Sequence, residues 1–251
     1  MFDIAREVAR VRYPVFVISM VAWAVLLARP SGVNSHCLSM GESPGAITTG
    51  WMLMLVAMMA PLTIPALHHV RFTSLARRTG RAITMFVAGY GAVWMTCGIL
   101  FVVIERAALT VAPDSYVPAT VAVLAALIWQ ASPLKQICLN RCHDNRPIAV
   151  FGLEAYLDVF RFGLTHGAWC VGGCWALMLF PMMLPSGHLA AMAAVAVLVF
   201  CERLEDPGPP RWQLRGLGRA RRMVIARSRL RLRGPGHHNS DGANRVKLSA
   251  A

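Results

Sequence analysis

Six stretches of the chain, residues 13–28, 47–67, 83–104, 117–131, 163–183 and 184–201, contain no Asp, Glu, Lys or Arg. A helix needs about 20 mostly apolar residues to cross the hydrocarbon core of a bilayer, and ionisable side chains at mid-bilayer are costly. Runs of this kind restrict the chain to an all-α, polytopic integral membrane helical bundle. Charged residues make up only 15% of the 251 residues and hydrophobic ones 56%, whereas a soluble domain carries about 25% charged residues. A soluble enzyme, a disulfide-rich secreted domain and a disordered chain are excluded on that ground.

The cations set the expected orientation. Six spans divide Lys and Arg 23 against 2 between the two sides, and cationic loops stay cytoplasmic, so both termini are expected inside. The runs 117–131 and 184–201 are short, the latter opening near Pro185 and Gly187, so four spans is the alternative. Omitting those two gives a poorer division, 19 against 6. The first apolar run is expected to be a retained anchor, because Leu26-Leu27-Ala28-Arg29-Pro30 lacks the small-x-small cleavage pattern.

Residues 203–251 hold 12 of the 25 cations against Glu205, Asp206 and Asp241, which accounts for most of the formal charge of +13. The chain therefore divides into a transmembrane helical domain, 1–202, and a basic, disordered cytoplasmic tail, 203–251. Between 211 and 233 arginines interleave with Trp212, Leu214, Leu217 and Leu230. Anionic lipid headgroups are the expected partner, at roughly 1 kcal/mol per cation; nucleic acid is not.

Soft metal ligands are placed in a pattern. His166, Cys170, Cys174, Met178 and Met182 follow at intervals of four, and each such step turns the helix face by about 40° and rises about 6 Å. The five side chains form a slowly winding ribbon. Thiolate and thioether select Cu(I), and imidazole also binds copper. Packing is the alternative, since Met is a flexible gap-filler. His166 is the sharpest member, because an intramembrane titratable group marks a functional candidate.

Two further groups carry similar chemistry. Cys138, Cys142 and His143 lie in the expected cytoplasmic loop, where the cysteine spacing is wrong for haem attachment and a zinc site lacks a second ligand pair. The second run contributes Met54 and Met58 on one face, prolines at 61 and 65 that bend it, and His68-His69 at its cytoplasmic end. A weaker outer group is His36, Cys37 and Met40. Thiol–disulfide exchange at the cysteine pairs ranks lower, because Cys-x-x-Cys is the usual redox spacing. Glycines 89, 91, 98, 167, 172 and 173 permit close helix approach.

Trp51…Met54…Ala57-Met58-Met59…Pro61, then Pro133-Leu134-Lys135…Cys138-Leu139…Cys142, then Gly167…Cys170…Gly172…Cys174-Trp175…Met178 resemble a bacterial family of metal-binding integral membrane proteins often labelled copper chaperones. The resemblance covers roughly residues 51–203. It departs at Gly173, where family members often carry a cysteine. It implies copper as the metal, the inner membrane as the location, and a copper-dependent enzyme of the tyrosinase type, or a copper carrier, as the recipient. On this basis Cys138, Cys142 and His143 are expected to capture Cu(I). His166, Cys170 and Cys174 would form an intramembrane site, and Met178, Met182, Met54 and Met58 would serve as weaker outer ligands. A metal-free scaffold and a thiol–disulfide membrane oxidoreductase are the alternatives, and a homo-oligomer is compatible with all three.

Overall fold

The computed structural model describes residues 2–28, 43–75, 77–112, 115–144, 146–149, 152–213 and 225. These residues are all-α, with no strand among them. The helices are α1 (Phe2–Ala28), α2 (Pro44–Met59), α3 (Ile64–Thr73), α4 (Thr79–Val111), α5 (Val117–Ala131), α6 (Pro133–Cys142), α7 (Glu154–Met182) and α8 (His188–Arg203). Four segments are long and apolar enough to cross a membrane: Ala9–Ala28, Pro44–Thr73, Thr79–Val111 and Glu154–Met182. The expected fourth run forms α5 and then bends by 70° into α6, while the expected sixth forms α8, of 16 residues. The outer group at residues 36, 37 and 40 and most of the basic tail lie outside the described residues.

Local chemistry accounts for the breaks. Ser43 caps α2 by accepting a hydrogen bond from Ala46 N, with Pro44 at the first helical position, where a missing N–H costs nothing. Pro61 and Pro65 then remove two donors, and a tight 3₁₀ turn at Ala60–Thr63 separates α2 from α3. Ser132 breaks α5 from α6, its extended backbone turning the chain and its hydroxyl capping Lys135 N.

The central contact is between α4 and α7, which run parallel. A Cβ on Gly163 would meet Phe86 O, one on Gly89 would meet Phe160 O, and one on Gly167 would touch Val93 and Tyr90. Small residues let two backbones approach this closely. The starts of α4 and α7 share an apolar cluster that includes Ala82, Phe86, Val159 and Phe162, together with Val11 of α1 and Leu67 of α3. Since α4 leaves that end and α7 begins there, α5 and α6 carry the chain back. Accordingly α5 starts beside the end of α7, with Tyr116 Oη and Ser186 Oγ 3.0 Å apart. It descends antiparallel until Trp129 Nε1 donates to Gly172 O at 2.9 Å.

The sequence reading of 133–143 as a loop is corrected here. These residues form α6, packed against the middle of α7: a Cβ on Gly172 would lie 2.8 Å from Cys138 Sγ. Lys135, counted among the loop cations, is fully buried. Its Nζ lies 2.8 Å from both carboxylate oxygens of Glu202 on α8, and Gln130 hydrogen-bonds both partners. Beyond α8 the chain turns back over α6. Asn140 holds both the N–H and the C=O of Gly208, and Gln213 N donates to Ala131 O, a carbonyl at the bend.

Candidate metal centre

The α7 ribbon faces the core along its whole length. His166, Cys170, Cys174, Met178 and Met182 are all buried, none more than 5% exposed. Met54 and Met58 of α2 belong to the same apolar cluster as Cys142, Cys170, Cys174, Met178 and Met182. The expected ligands of α2, α6 and α7 thus share one interior. The capture group and the intramembrane group, expected at separate levels, are adjacent.

The junction of the two groups is built around sulfur. Tyr90 Oη of α4 and Cys170 Sγ share a hydrogen bond of 3.3 Å, and the Cys174 thiol donates to Cys170 O at 3.0 Å. The guanidinium of Arg203, in the last turn of α8, interacts electrostatically with the sulfurs of both Cys142 and Cys170. One cation therefore stands near one cysteine from α6 and one from α7. Cys138 is half-buried against Gly172, one turn back along α6. All six cysteines among the described residues are free thiols.

The two histidines differ. His166 sits in a nest of rings, 5.8 Å from Phe86, 6.2 Å from Tyr90 and 5.7 Å from Phe162 between centroids. Its Nε2 is buried with no hydrogen-bond partner, which leaves that nitrogen open to a ligand in the tautomer protonated at Nδ1. His143, by contrast, presents Nδ1 to Leu139 O at 2.9 Å and Nε2 to Arg203 O at 3.3 Å. Both ring nitrogens face backbone carbonyls, of which a neutral ring can donate to only one, so ligation by His143 requires the ring to turn away from a carbonyl.

A cavity of about 270 Å³ reaches the junction. It is bounded by α1, the α2–α3 break, the end of α6, α7 and the end of α8, with Cys142, His143, His166, Arg12 and Arg203 on its wall. As the side chains stand, the described residues contain no group of three His, Cys, Asp or Glu arranged to hold a metal ion. What they provide is paired thiols with an adjacent unpartnered imidazole and a row of thioethers beyond.

Arg203 and Tyr90 were not legible as site residues. Arg203 opens the basic run of 203–251 and reads as one more tail cation; its one signal is its place directly after Glu202 at the end of an apolar run. A family model described as a copper chaperone, PpoB2, matches residues 48–221. The chain belongs to this family. No curated protein and no solved structure matches it. The copper chaperone match takes in α3 to α8, most of α2, and the ligand candidates of α2, α6 and α7. It leaves α1 outside. Arg203 and Tyr90 lie within the copper chaperone segment too.

Proposed function

We propose that the chain is a multi-pass protein of the bacterial inner membrane that binds Cu(I) and passes it to a copper-dependent enzyme or carrier. The observation that carries the reading is the burial of Cys142 and Cys170 in one cluster with one guanidinium near both, within a chain of the copper chaperone family. Two thiolates and one cuprous ion carry a net single negative charge, and Arg203 balances it. An uncompensated charge at a buried position is strongly unfavourable. Cys174, whose thiol donates to Cys170 O, and His166, on the wall of the same cavity as Cys142, are further soft donors that a side-chain rearrangement could bring to the ion. Met178, Met182, Met54 and Met58 continue the donor row through the core, and thioethers, which need no deprotonation, suit onward release.

Six crossings with both termini cytoplasmic is the topology we favour. The parallel pairing of α4 with α7 supports a return passage by α5 and α6 between them. Arg12 near the start of α1 and Arg203 at the end of α8 line a common cavity, as termini on one side require. The basic residues beyond 213 would then face anionic lipid headgroups of the inner leaflet.

The test is copper content at equilibrium. The full chain, purified in neutral detergent under reducing conditions and supplied with Cu(I), is expected to retain about one equivalent. Cys142→Ser and Cys170→Ser should each reduce retention at least tenfold, and Arg203→Gln should weaken it with the cysteines intact. Copper retained in the double cysteine variant would refute the paired-thiol site.

A further inference from the structure

We infer that the cavity at the end of α6 admits copper as a complex with a small anionic thiol, and excludes it as a bare cation. This rests on the copper-binding reading above and specifies the form of the cargo. The ionisable groups on the cavity wall are Arg12, Arg203, Cys142, His143 and His166; among the described residues lining it there is no Asp or Glu. A bare cuprous ion entering this space approaches two guanidinium groups of its own sign, with weakened water screening. A cleft lined by one sign of charge focuses its field on the opposite sign and raises association rates by about 10- to 1,000-fold.

Size points the same way. A volume of about 270 Å³ far exceeds what an ion needs and lies near the lower end of small-ligand pockets, about 300–1,000 Å³. The remaining wall is largely apolar, from Phe16, Pro61, Leu62, Ile64 and Phe200, and suits the body of a small organic carrier. The carrier must itself hold Cu(I) through a soft atom, and its carboxylates answer the arginines. Delivery is then a ligand exchange. The Cu–S bond to the carrier breaks as a Cu–S bond to Cys142 forms. The Cys142 proton leaves with the carrier thiolate, and copper remains Cu(I). Formation of the second Cu–S bond, at Cys170, which shares Arg203 with Cys142, breaks the bond from copper to its remaining outside ligand, a second carrier thiolate, which leaves with the Cys170 proton.

The experiment compares initial loading of the full chain in neutral detergent from Cu(I)–glutathione and from Cu(I)–glutathione diethyl ester. The two share the thiol and the peptide frame and differ in their carboxylates. At low salt, loading from the free acid is expected to be about tenfold faster, with the advantage shrinking to about twofold at half-molar salt. Arg12→Glu should remove or reverse the preference, and Arg12→Lys should keep it. Equal rates from the two donors, or a preference insensitive both to salt and to Arg12→Glu, would overturn this inference while leaving the copper site standing. No copper taken from either donor at equilibrium would overturn the copper-binding reading itself.

Discussion

Replacing Gly163 with leucine is expected to abolish most of the folded protein. Gly163 and Gly89 occupy reciprocal seats: a Cβ on either meets a backbone carbonyl of the other helix, and a Cβ on Gly163 would also lie 3.1 Å from Tyr90 N. Backbone atoms cannot rotate aside as a flexible side chain can, so a leucine must force α4 and α7 apart. Overpacking a close contact costs about 1–3 kcal/mol, occasionally more, and here the upper end applies because neither partner can yield. The displaced helices would also separate Tyr90 from Cys170. Gly91→Leu is the matched control, since a Cβ there meets nothing within 4 Å. The yield of monodisperse protein and its thermal midpoint in detergent should fall sharply for Gly163→Leu and hardly change for Gly91→Leu. Equal behaviour of the two variants would contradict the parallel α4–α7 contact.

The second large effect is expected at Lys135. With Glu202 only 2% exposed and Lys135 not at all, Lys135→Met leaves a carboxylate in the interior with only the Gln130 amide for company. Removing one partner of a buried ion pair costs about 3–5 kcal/mol, whereas replacing both is far milder. The double change Lys135→Met/Glu202→Gln should therefore recover most of the loss, because a neutral amide at 202 can still bond Gln130. A strongly non-additive cycle, read from denaturation midpoints, is the predicted signature. Additive small losses would mean that the pair does not anchor α8. Glu202 directly precedes Arg203, so the same variant should bind copper more weakly as the guanidinium loses its seat.

The α7 ribbon was readable because its information is local: side chains four apart on a helix share a face, and His166 to Met182 hold that spacing throughout. The α2–α3 break was readable from Pro61 and Pro65 for the same reason. The position of α6 was not. Lys135, Asn140 and Arg141 give that segment the composition of a surface loop. Its burial depends on Glu202, 67 residues away, and on Gly172, which makes room for Cys138. Gly89 and Gly167 were legible as surfaces for close helix contact, but Gly163 was not singled out, and nothing local says that α4 and α7 are partners or that the pair runs parallel. Arg203 was hidden by its neighbours, since an arginine that opens a basic run looks like its first member. The nearness of Cys142 on α6 to Cys170 on α7 was hidden by the same gaps.

The central claim is that sulfur from two different helices meets at one copper ion. Copper-edge X-ray absorption on the Cu(I)-loaded full chain, beside Cys142→Ser and Cys170→Ser, tests it most directly. The account predicts a first shell dominated by sulfur in the wild-type chain, with one sulfur lost in either variant. A shell of nitrogen and oxygen, or a sulfur shell that neither substitution alters, would contradict it.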